Sequence, residues 1–83
     1  MVVLPCLFEG VTVATFQVGR TWPLSHIRRE VVITLGDVVP TDFRFKVHQA
    51  GFPDVYVNRR HEGANKVAQV LPPWTFEIVS VTT

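Results

Sequence analysis

Apolar positions along this chain fall into short runs at strand spacing, with one interval at helical spacing. Val2 to Phe8 is the first run, and Pro5 interrupts it, which predicts a bulge or an edge position. Glu9-Gly10 signals a tight turn, and Val11 to Val18 forms a second run, so the pair reads as an antiparallel hairpin. Between residues 21 and 35 the period changes. Leu24, Ile27, Val31 and Leu35 recur three and four residues apart, the spacing of one helix face, while Ser25, Arg28 and Arg29 read as off that stripe. Thr21 is the expected N-cap, Pro23 fits a first helical turn and Gly36 sits where a C-cap belongs. The β-branched run Val31-Val32-Ile33-Thr34 supports a competing strand over Glu30 to Leu35. Periodicity and end signals together favour the helix over propensity.

Asp37 to Asp42 reads as a loop, with Pro40 ending any helix. Phe43 to His48 alternates cleanly, with Phe43, Phe45 and Val47 on one face and Arg44, Lys46 and His48 on the other. A turn over Gln49 to Pro53 leads to a short strand, Asp54 to Val57, and then to a polar, basic loop over Asn58 to Asn65. Lys66 to Leu71 predicts a helical turn that drops Val67, Val70 and Leu71 onto the core. Pro72-Pro73 stops it, and Thr75 to Val81 is the last strand, expected beside the first in the centre of the sheet and parallel to it. This order gives an α+β domain with one helix packed on a sheet face.

The order and spacing resemble the ubiquitin-like β-grasp fold over roughly Val3 to Val81. The resemblance is carried by the hairpin at Glu9-Gly10, the amphipathic Leu24 to Leu35 and the passage Val39-Pro40-Thr41-Asp42-Phe43-Arg44-Phe45. The Gly51 turn and Lys66-Val67-Ala68-Gln69-Val70 leading into Trp74 to Val81 complete it. It implies a mixed sheet of four to five strands with the helix across one face. Two departures shape the functional expectation. Conjugated members of that superfamily end in a diglycine, whereas this sequence reads Val81-Thr82-Thr83, which implies a non-conjugated relative. Ubiquitin shows its receptors an aliphatic patch on the third strand, where this chain places Arg44, Lys46 and His48. An apolar receptor would have to desolvate charge there.

Composition narrows the rest. Eighty-three residues make one small domain, too short for a Rossmann fold or a TIM barrel. Residues 1–83 are read as a single ubiquitin-like domain within a larger protein. Hydrophobic residues are 47% and charged residues 18%, below the usual level of about 25%, which excludes a disordered chain. A formal net charge of +1 gives no global drive toward nucleic acid. Met1 to Phe8 lacks a basic leader, no apolar run is long enough to span a bilayer, and the lone Cys6 suits a reducing compartment, so the expected location is cytoplasmic.

The candidate chemistry is basic. Arg44, Lys46 and His48 form a row that suits an acidic partner surface, against the plainer reading of a solvated sheet face. Arg59, Arg60 and His61 form a second basic cluster, read as a mobile loop that could merge with the first. Arg28-Arg29-Glu30 reads as a solvated helix face. Cys6 could pair with His26, His48 or His61 as a nucleophile, but the sequence supports neither an activated thiol nor an oxyanion site, so a structural thiol is expected. The histidines and acids lack metal-ligand spacing and there is no glycine-rich phosphate loop, so no enzyme, cofactor or small-molecule substrate is expected. Trp22 and Trp74 read as core lids, with an exposed Trp74 as the docking alternative.

The expected function is therefore protein–protein docking, as an adaptor or scaffold module that binds an acidic partner through Arg44, Lys46, His48, Arg59, Arg60 and His61. The alternatives are self-association and, ranking lower, binding to acidic lipid or nucleic acid through the same residues. Self-association would use edge strands or a basic strand against an acidic loop around Asp54 and Glu62, as in the related PB1 domain.

Overall fold

A computed structural model of the chain describes residues 1–81; Thr82 and Thr83, on which the expectation of a non-conjugated end turns, lie outside them. Strand β1 (Val2–Phe8) and β2 (Val11–Val18) form the expected hairpin. Its turn places Glu9 at φ 53° and Gly10 at φ 79°, the paired left-handed conformation that matches strand twist. Helix α1 (Leu24–Leu35) follows, then β3 (Phe43–His48), β4 (Val55–Val57) and β5 (Thr75–Ser80). Short 3-10 turns occupy Gly36–Val38, Arg59–Ala64 and Val67–Gln69.

The five strands form one mixed sheet in the order β2-β1-β5-β3-β4, with β1 parallel to β5 and the other pairs antiparallel. The last strand lies beside the first, as the order of elements suggested. Pro5 does not mark an edge. It sits in an interior strand, but the β1–β5 ladder pairs only Leu7 with Glu77 and Phe8 with Ile78, so the missing N–H of Pro5 falls outside it. The register shift comes one step later, between Cys6 and Leu7.

Helix α1 covers one sheet face. Leu24, Ile27 and Val31 pack with Leu4, Phe16, Phe43, Phe45, Phe76 and Ile78 in a single core, and burial of that stripe outweighs the poor helix propensity of the last turn. The alternative strand over residues 30–35 does not form. Thr21 is not the N-cap. The helix starts one residue after Pro23, and the Leu24 N–H donates instead to the Asn65 carbonyl at 2.9 Å, so a distant chain segment satisfies a first-turn donor. Gly36, at φ 49°, terminates the helix as expected. Val67 and Val70 are buried and Leu71 and both tryptophans are half-buried against the core. Trp22 fixes the residue before its loop: a Cβ on Gly19 would lie 2.5 Å from the indole Nε1.

Candidate functional site

The outer sheet face, away from α1, carries Arg44, Lys46 and His48, as strand alternation requires. Their cross-strand partners on β5 are Val79, Glu77 and Thr75. This register puts Glu77 directly opposite Lys46, and the Lys46 Nζ lies 3.7 Å from its carboxylate. Asp54, just before β4, reaches Lys46 at 3.6 Å and His48 Nδ1 at 2.6 Å. The His48 hydrogen bond, joined by the charges of Lys46 and His48, holds the Asp54 carboxyl below its usual range, against a smaller opposing effect of desolvation. Two of the three bases in the row are thus paired within the chain.

Arg44 differs. It forms no ion pair among the described residues, and its guanidinium stacks 4.3 Å from the ring centre of Tyr56, which is 46% exposed. Its Nε is covered and lacks a hydrogen-bond partner. The free charge on this face therefore sits at the Arg44–Tyr56 end, next to half-buried Val79.

The second basic cluster is held in regular structure and not in an open loop. Arg59–Ala64 is a 3-10 turn pinned from within by Glu62, which is only 1% exposed. Arg28 Nε donates to both Glu62 carboxylate oxygens at 2.9 and 3.0 Å, and a second guanidinium nitrogen donates at 2.8 Å and also to the Phe43 carbonyl. The same guanidinium lies 4.1 Å from the centre of the Phe43 ring. Arg28 therefore belongs to the buried side of α1, which overturns its placement on a solvated face. The signal was present in the spacing: Leu24, Ile27, Arg28 and Val31 are positions i, i+3, i+4 and i+7 of one stripe. Arg29 is exposed and Glu30 half-exposed, as expected.

Because Glu62 ties its turn to α1, Arg59 stands on the helix side of the molecule. It lines a groove of about 470 Å³ with Arg28, Arg29, Ser25, Val32, Ile33 and Thr41. Arg59 thus shares its groove with α1 residues, and none of Arg44, Lys46 and His48 lines it. Arg60 and His61 are exposed on the pinned turn, where the His61 carbonyl accepts a hydrogen bond from Asn65 Nδ2 at 2.8 Å.

Cys6 is fully buried in the core, and burial pushes its thiol up to about 12, so it carries almost no thiolate near neutral pH. The two acids expected to form an acidic loop are both engaged, Asp54 with Lys46 and His48, and Glu62 with Arg28. Among the described residues, no group of three or more His, Cys, Asp and Glu side chains is placed to hold a metal ion, and no helix is long and apolar enough to cross a membrane. Searches of protein-family models, curated proteins and solved structures found nothing that matches this chain.

Proposed function

We propose that this is a non-catalytic docking domain of ubiquitin-like β-grasp type, which binds an acidic partner protein through the outer face of its sheet. The strand order β2-β1-β5-β3-β4, a parallel central pair and one helix across the opposite face support the fold assignment. The observation that carries the binding reading is Arg44 on Tyr56: an arginine without a carboxylate, stacked on an exposed aromatic ring. Arginine and tyrosine are the residue types that concentrate binding energy at protein interfaces. Lys46, His48, Asp54 and Glu77 form a rim of internally paired groups beside it, which selects partners by the placement of their charges more than by net attraction. Capture of partners on the immobilised full chain tests this reading. Arg44→Glu and Tyr56→Ala should each cut recovery at least tenfold for the partners of the unmodified chain, whereas the exposed helix substitution Thr34→Ser should leave it intact. Unchanged recovery with Arg44→Glu contradicts the assignment.

One feature favours self-association as a second reading. Strand β2 is a free sheet edge of eight residues, VTVATFQV, with no charged side chain and no proline. Edges of that kind pair readily with another strand. The other edge, β4, has three residues and follows Pro53-Asp54. Light scattering over a concentration range separates the readings, because a strict monomer excludes edge pairing.

A further inference from the structure

We infer that the groove between α1 and the Arg59–Ala64 turn is a second docking site, for a partner peptide whose carboxylates adjoin a short aliphatic stretch. It lies in the layer opposite the outer sheet face, and it stands or falls independently of the role proposed for Arg44.

Charge complementarity sets the acidic end. Arg29 and Arg59 both line the groove, and neither forms an ion pair or hydrogen bond among the described residues. Among the described residues, no carboxylate lines this part of the groove. The Ser25 and Thr41 hydroxyls lie on the same walls and can donate to a bound carboxylate. Arg28, the third arginine of the lining, is already satisfied by Glu62 and serves to fix the turn that carries Arg59.

The aliphatic end follows from two side chains that folding does not explain. Val32 and Ile33 are 55% and 72% exposed and stand on the solvent side of α1. A β-branched residue there weakens the helix and covers no core, so neither secondary structure nor packing accounts for the pair. Both line the groove. Val32 and Thr41 also line an adjoining hollow of about 210 Å³ with Val39, Pro40 and Phe43, so the furrow runs from arginines to apolar walls. Asp37 lines that hollow and repels a carboxylate, which keeps the acidic part of the peptide at the arginines. Arg29 and Arg59 would hold its acidic residues, and the hollow past Val32 would take its aliphatic ones.

Backbone amide NMR of the full chain, titrated with a degenerate hexapeptide pool, tests this directly. The pool has Asp or Glu at three consecutive positions and Leu, Ile, Val or Phe at the other three, in both orders; a matched pool has Asn or Gln in place of the acids. The expected result is saturable shifts at Ser25, Arg29, Val32, Thr41 and Arg59 with the acidic pool, weakened at least tenfold with the neutral pool. Arg29→Glu/Arg59→Glu should weaken binding at least tenfold while keeping a folded spectrum, because both side chains are exposed. Arg44→Glu should leave groove binding within about twofold. Groove resonances that do not move, that respond equally to both pools or that respond equally in the double variant overturn the proposal.

Discussion

On the outer sheet face, Lys46 and His48 hold Asp54 and Glu77 at 2.6 to 3.7 Å; on the helix side, Arg29 and Arg59 face a groove whose lining has no carboxylate. Both regions read as basic in sequence. The first contains a tidy row and the second only scattered arginines. Their difference lies in what the fold brings to each. Antiparallel pairing of β3 with β5 puts Glu77 opposite Lys46, and the turn into β4 delivers Asp54. On the helix side Glu62 is drawn inward by Arg28, Glu30 pairs with His26, and Arg29 and Arg59 form no ion pair among the described residues. A count of basic residues therefore misjudges a surface. Charge left over after internal pairing is what a partner meets.

The largest effect should come from the pair that separates the two regions. Glu62→Ala leaves the Arg28 guanidinium buried without its partner and should cost about 3–5 kcal/mol in denaturant unfolding. The joint replacement Arg28→Met/Glu62→Leu should restore most of that, because a well-packed apolar pair avoids the desolvation cost. A loss below about 1 kcal/mol for Glu62→Ala would mean that the turn carrying Arg59 is not held by this contact.

Next in size is the closure of the core between the two faces. Cys6 lies in it with a thiol pushed up to about 12, so alkylation by iodoacetamide at pH 8 should be at least a hundredfold slower in the folded chain than in urea, on the order of the lost thiolate fraction. Comparable rates would show that the sheet and helix layers open readily.

A smaller effect distinguishes paired from unpaired bases. Asp54→Asn removes a carboxylate from Lys46 and His48, so the variant should elute later from a polyglutamate resin at low salt, a difference that fades as salt screens it. Retention equal to that of the unmodified chain would mean that Lys46 and His48 were already available.

The smallest effect is on acid stability. The Asp54 carboxyl titrates lower in the folded chain than its usual 3.8, so between those values the unfolded chain binds more protons. Its contribution to stability is complete above about pH 4 and is lost as pH falls through the depressed value. Asp54→Asn should flatten that part of the acid-unfolding profile; an identical profile contradicts the His48–Asp54 contact.

Much of the fold was legible because it depends on local patterning. The alternation in Phe43–His48, the Glu9-Gly10 turn and the stripe at Leu24, Ile27 and Val31 each state their own geometry. What was missed depends on partners far along the chain. Thr21 looked like a cap, but Asn65 satisfies the helix start from 41 residues away in sequence. Arg28 reads as off the stripe of Leu24, Ile27, Val31 and Leu35, although its i+4 spacing from Leu24 puts it on the buried side; only tertiary structure shows Glu62, 34 residues on, neutralising it. The row Arg44, Lys46 and His48 was placed on the correct face, but its pairing depended on strand register, which composition does not encode.

The most direct test of the account uses hexaglutamate, a probe with charge and no aliphatic part, titrated against the chain while the side-chain nitrogen resonances of its basic residues are followed by NMR. The account predicts that Arg29, Arg59 and Arg44 respond, and that Lys46 and His48 stay in place because Asp54 and Glu77 already occupy them. A response centred on Lys46 and His48, with Arg29, Arg59 and Arg44 unmoved, would contradict it.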